Sequence, residues 1–259
     1  MANLTPTEIA AYVGAAAWAP QILTWIYRWF VKPVVEIVPE KSIELGFTTF
    51  GPIFNIRLAL SAAKKDAIID HIEVELRHEE GEVRNLKWTG MREIFSKIVD
   101  AAGNRQLVEK DQPAIALKVT TVLLTEKFVR FRDLSFHARH RPVLNTLVEH
   151  LNYLKKQAED YRDMVIKSKQ FFDIVEIYKT CFWWRPGEYT VNFKIKSRHN
   201  ANLNAGTFKF SLTQHDTDAL RQNLDLISID YENTTKSDLP EFKPKPVAWN
   251  WRNIPLVQK

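Results

Sequence analysis

The first apolar stretch of the chain is unlike those that follow. From Ile9 to Tyr27 no residue carries a charge, Glu8 precedes the run, and Arg28 and Lys32 follow it. Trp18, Trp25, Tyr27 and Trp29 lie within it or just beyond it. A bilayer core needs about 20 apolar helical residues, so residues 1–33 are predicted to form an N-terminal hydrophobic helix that anchors the protein as a single-pass span. The run is marginal for that role, because it is rich in Ala and holds Pro20, Gln21 and Thr24. Ala adds little to insertion, and Pro removes a backbone donor in mid-helix. A helix lying in the membrane interface, or one buried against protein, fits the same pattern.

After Pro33 the period changes to two. Phe54, Ile56, Leu58 and Leu60 alternate with Asn55, Arg57 and Ala59, and Ile72, Val74 and Leu76 alternate with charged neighbours. Such alternation places one face of a strand in a core and the other toward water. Further strands are predicted at 34–38, 43–50, 83–88, 115–121 and 128–131. Gly51-Pro52 and Glu79 to Glu82 mark the turns between them.

A helical pattern interrupts the strands at 142–169. Leu144, Leu147, Leu151, Leu154, Ala158, Tyr161 and Val165 alternate spacings of three and four, which is a heptad seam. It predicts one long helix. That helix either packs over the sheet or offers Leu144, Leu147, Leu151, Leu154 and Tyr161 to a protein partner or a second copy of the chain.

Strands resume at Tyr189 to Lys196, with Tyr189, Val191, Phe193 and Ile195 on one face, and again at Thr207 to Leu212. Gly187-Glu188-Tyr189 at the start of the first resembles the tyrosine corner of immunoglobulin-like sandwiches, whose phenol bonds back to nearby backbone. The fold expected is mainly β: an immunoglobulin-like antiparallel sandwich of about seven to nine strands over residues 34–236, with the helix inserted. A short helix from Thr213 and a strand at 227–231 would complete it. Residues 237–259 carry Pro240, Pro244, Pro246 and Pro255 with Trp249 and Trp251. This tail is expected to lie extended and to bury its tryptophans, against its own domain or against a partner.

Composition adds direction. The chain has 259 residues, 45% hydrophobic and 26% charged, with a net charge of +5, which fits a folded domain. With no Lys or Arg before the uncharged run and Arg28 and Lys32 after it, the positive-inside rule puts the C-terminal domain in the cytoplasm. Cys181 is the only cysteine, so no intrachain disulfide forms.

Chemistry is sparse. Gly46 and Gly51 have phosphate-loop spacing, but Pro52-Ile53 stand where Lys-Ser/Thr belongs. His78-Glu79 is followed by Glu82 and not by the second His of a zinc motif. His137 and His140, with Arg139 and Arg141 beside them to repel a cation, read as solvated surface side chains, and Cys181 beside Phe182 and two tryptophans reads as core. No catalytic, metal or cofactor-binding residue is assigned, and no cofactor is expected. The strongest polar feature is basic: Lys127, Arg130, Arg132, Arg139 and Arg141, interleaved with phenylalanines. It suits anionic lipid heads or a nucleic-acid backbone, or else a strand whose arginines are merely solvated. The function expected is a non-enzymatic, membrane-anchored cytoplasmic binding or scaffold protein within a larger assembly. The alternatives are a soluble nucleic-acid-binding protein using 127–141, or an enzyme with an unrecognised site.

Overall fold

The computed structural model describes the backbone of residues 5–99, 105–198 and 200–259; the side chains of 6–13, 15, 28 and 93–110 lie outside that description. The protein is mainly β, with thirteen strands in one curled sheet and five helices among the described residues. Helix α1 (Pro6–Phe30) leads into β1 (Val34–Pro39), β2 (Ser42–Thr48), β3 (Gly51–Ala63), β4 (Ala67–His78), β5 (Val83–Val99), β6 (Arg105–Pro113), β7 (Leu117–Val119) and β8 (Thr125–Arg132). Three helices follow: α2 (Leu134–Leu154), α3 (Tyr161–Ile166) and α4 (Lys169–Cys181). The chain closes with β9 (Gly187–Ser197), β10 (Asn202–Asn204), β11 (Phe208–Leu212), α5 (Gln214–Lys236), β12 (Arg252–Pro255) and β13 (Val257–Gln258).

Alternation builds the sheet. Phe54, Ile56, Leu58 and Leu60 of β3 face the core, as do Ile72, Val74 and Leu76 of β4 and Tyr189, Val191 and Phe193 of β9. The strands run in the order β1–β3–β8–β5–β4–β9–β11, and β2 shares with β1 the same side of β3. Left alone, β2 and β11 would be open edges with unpaired backbone groups. The tail covers both. β12 pairs antiparallel with β2 and β13 with β11, while the Leu256 N–H donates to the Lys41 carbonyl at 2.8 Å.

Two asparagines of α5 hold the tail on its way there. Asn223, fully buried, donates to the Asn250 carbonyl at 2.9 Å and accepts from the Asn250 N–H at 2.8 Å. Asn233 makes the same two bonds with Lys245. Trp251 lies on β2, where a Cβ on Gly46 would overlap its ring. The glycine pair that mimics a phosphate loop thus has a packing reason: Gly46 admits Trp251, and Gly51, at φ +75°, admits Phe136.

Helices α2–α5 pack beside β2 and the start of β3, and here the sequence reading needs correction. The helix expected from Pro142 begins eight residues earlier. Asp133 caps it, accepting from the N–H groups of Ser135 at 2.8 Å and Phe136 at 3.4 Å. The single helix expected to reach Lys169 is broken: the chain turns at Lys155–Gln157, and α3 and α4 fold back. The strand expected at 227–231 is instead part of α5, which buries Leu220 and Ile227.

The phenol of Tyr189 does bond back to backbone, accepting from the Arg185 N–H at 2.9 Å and donating to its carbonyl at 3.1 Å.

Candidate functional site

Residues 6–30 form a helix whose described side chains lie uncovered among the described residues. Every described side chain of α1 is exposed, Trp18, Trp25, Tyr27, Trp29 and Phe30 among them. Trp25 and Trp29, one turn apart, meet at a tilt with ring centroids 5.5 Å apart. The Thr24 hydroxyl donates to the Pro20 carbonyl at 2.7 Å, so that polar group is satisfied within the helix. Lys32 follows, exposed, and the side chain of Arg28 lies outside the described residues. At 25 residues the helix is about 37 Å long, more than a hydrocarbon core. Among the described residues, however, no helix is both long and apolar enough to cross a membrane.

The basic segment does not fold as one patch. Arg130 and Arg132 lie on the outer face of β8, opposite the buried Val129 and Phe131. Lys127 has the inward parity, and Arg139 and Arg141 are exposed on α2. What gathers around Arg130 and Arg132 was invisible in the sequence. A β-bulge at Thr89 brings Gly90 opposite Arg130 and Arg92 opposite Phe128. These residues line a cavity of about 170 Å³ with Asp111 and Gln112. Asp111 accepts from Arg130 at 3.1 Å and from Arg92 at 3.4 Å. Arg132 stacks on Phe50 at 3.9 Å, and burial, with Arg130 beside it, lowers its pKa from the ordinary arginine value. Guanidinium groups held on aromatic faces present N–H donors in a fixed plane to an anionic acceptor.

The heptad residues face inward. Leu147, Leu154 and Tyr161 are buried, and Leu144 and Leu151 partly so. Leu144, Leu147, Leu151 and Tyr161 line a cleft of about 430 Å³ whose other wall is the end of α5 and the two residues after it, from Tyr231 to Asp238. Most of the seam thus packs against its own chain. In the tail, Trp249 packs partly buried against the core, and Trp251 covers Gly46.

Below the cleft lies a polar cluster that the sequence reading missed. His140, read as solvated, is buried. Because α2 starts at Leu134, it falls one turn after Phe136 on the inner face and stacks on that ring at 5.1 Å. His140 Nε2 lies 2.9 Å from the Tyr178 hydroxyl and 3.2 Å from that of Tyr231, and Tyr178 donates to the Thr49 carbonyl at 2.9 Å. Burial raises the pKa of both tyrosines. It lowers that of His140, with His137 adding to the effect.

A histidine depressed on folding binds its proton more tightly when unfolded, so stability rises with pH through the range just below the ordinary histidine pKa of about 6.5. We expect the thermal midpoint to fall between pH 7 and pH 5, and His140→Gln to reduce that fall. An unchanged pH dependence in the variant would show that His140 does not titrate with folding.

Among the described residues no group of three His, Cys, Asp or Glu side chains is placed to hold a metal ion. No protein-family model, curated protein or solved structure matches the chain.

Proposed function

We propose that the protein is a non-catalytic, membrane-anchored binding or scaffold module, a subunit whose curled sheet stands on the cytoplasmic side and whose α1 is seated in the bilayer among other helices. One observation carries this reading: the described aromatic and aliphatic side chains of α1 have no cover among the described residues. Trp, Phe, Ile and Leu side chains left in water on an isolated helix need lipid or protein around them. A span of marginal apolarity gains from packing against neighbouring helices, which favours an assembly over a solitary anchor.

In this reading the β domain serves as an immunoglobulin-like scaffold, supported by the Tyr189 corner. It displays the arginine-lined cavity and the α2–α5 cleft as binding surfaces. The nucleic-acid alternative loses its main support, because its five basic residues are divided between two faces of β8 and a helix.

Carbonate extraction of tagged protein tests the anchor. The full chain is expected in the membrane pellet, and a chain lacking residues 1–33 in the supernatant. Ile22→Asp places a charge near the bilayer centre at about 3 kcal/mol, on the order of a hundredfold in partitioning, and should release the protein as well. Full-length protein found soluble without detergent would overturn the proposal.

A further inference from the structure

The end of the sheet from which α1 departs carries a second uncovered apolar feature. In the loop between β7 and β8, Val122, Leu123 and Leu124 are 86%, 69% and 60% exposed. Three consecutive aliphatic side chains in water are unfavourable unless something covers them.

The loop is held in shape by its polar groups. Asp66 accepts from the Thr121 N–H at 3.0 Å and from its hydroxyl at 3.4 Å, and the first of these bonds does most to keep the Asp66 carboxyl below its usual range. The Leu123 N–H donates to the Thr120 hydroxyl at 3.2 Å, and the Thr120 carbonyl accepts from the Ala62 N–H at 3.2 Å. These bonds tie the loop to the body of the protein while its aliphatic side chains point away from it.

Strand register places the loop beside the anchor. Val34, the first residue of β1, pairs with Ala63 of β3, and on the other side of β3 Thr125 pairs with Leu60. The root of the loop and the start of β1 are therefore two strand spacings apart across the sheet and three residues apart along it, about 14 Å. Only Val31, Lys32 and Pro33 separate α1 from β1, and three residues span at most about 10 Å. A membrane that holds α1 must then lie close to Val122, Leu123 and Leu124. The surroundings are mostly cationic: Lys64 and Lys65 are exposed in the β3–β4 turn, and Lys118 and Arg198 sit nearby with Asp66 and Asp70 as their carboxylate partners. Basic residues around an aliphatic tip match an anionic leaflet. The tip lacks the Trp, Tyr or Arg that usually anchors a protein partner.

We infer that Val122, Leu123 and Leu124 form a wedge that enters the interfacial layer of an anionic membrane, alongside α1. This deepens the anchor reading and rests on it.

The test uses the full chain in phosphatidylcholine–phosphatidylserine vesicles, with an environment-sensitive fluorophore on Leu123→Cys. Cys181 is 2% exposed and stays unlabelled. Parallel labels on Ile22→Cys in α1 and on Glu80→Cys, in the β4–β5 turn at the opposite end of the sheet, serve as references. The Leu123 label is expected to shift to the blue and to be quenched by brominated acyl chains, as the Ile22 label is, while the Glu80 label stays in water. A Leu123 label in water beside a quenched Ile22 label would overturn the wedge and leave the anchor standing. If neither is quenched, both fall. A Leu123 label shielded from water but untouched by brominated lipid would mean a protein covers the loop, and would also overturn the wedge.

Discussion

Truncation after Pro246 is expected to abolish cooperative folding, although it removes none of the central strands. The lost segment carries β12 and β13, which cover the edges of β2 and β11. It also carries Ile254 and Leu256, both buried, each contributing about 1.5 to 3 kcal/mol by removal from water. Without Asn250, the fully buried Asn223 keeps its amide but loses both partners, at about 1 to 3 kcal/mol. The loss of Trp251 uncovers the groove above Gly46. Together these terms reach the stability of a typical domain, about 5 to 15 kcal/mol, even as upper estimates.

The exposed edges add a second consequence, since unpaired strands template association between chains. Thermal unfolding should lose its sharp transition, and gel filtration should show aggregates. A truncated chain that unfolds cooperatively within a few degrees of the intact one would show that the tail is an ornament on a self-sufficient sheet.

Local pattern decided how much of this was legible in the sequence. Strands with one face in the core, such as β3, β4 and β9, announce themselves by alternation, and the residues read as inward are buried, Ile195 only partly, although Asn55, read as outward, is buried as well. Where two periods compete, the reading failed. Ile227, Ile229 and Tyr231 alternate like a strand, yet Leu220, Leu224, Ile227 and Tyr231 are spaced four, three and four apart, and that helical period is the one α5 uses. The heptad seam continued through Ala158 on paper because neither Gly nor Pro interrupts it. The turn at Lys155–Gln157 lets Tyr161 and Val165 fold back onto the same core. β6 has no apolar alternation across Glu109, Lys110 and Asp111, so it left no signal.

The candidate surfaces were legible only as residue types. Arg130 and Arg132 stood out, but Arg92 and Asp111 join them through a bulge and a cross-strand register that no short window contains. The Val122-Leu123-Leu124 run is plain in the sequence. What makes it notable is the absence of anything over it.

Replacing Asp216 should cause the largest loss of any single side chain that joins the tail to the fold. Its carboxylate closes the capping box of α5, accepting from the Thr213 N–H at 3.0 Å and the Thr213 hydroxyl at 2.6 Å, and it binds Arg252 Nε of β12 at 2.7 Å. Asp216 is buried and Arg252 partly so. Asp216→Ala removes a cap, at about 1 kcal/mol, and strands a half-buried guanidinium beside β2, for a combined loss of about 2 to 4 kcal/mol. In a chain of this length that corresponds to roughly 5 to 15 °C in thermal midpoint.

Asp216→Asn separates the two parts, because an amide oxygen still accepts from Thr213 but carries no charge for Arg252. Desolvation works against the ionised form of Asp216, but the bonds from Thr213 and Arg252 outweigh it, and its pKa lies below the ordinary aspartate range. A carboxylate depressed on folding contributes stability that is fully present above the unfolded pKa and is lost as pH falls through the folded one. The advantage of the native protein over Asp216→Asn should therefore be full at pH 7 and shrink below about pH 4. Thermal midpoints of both proteins across that range decide the matter: a gap that does not narrow in acid would mean the charge on Asp216 adds nothing, and that the tail is held at this point by the cap and its packing alone.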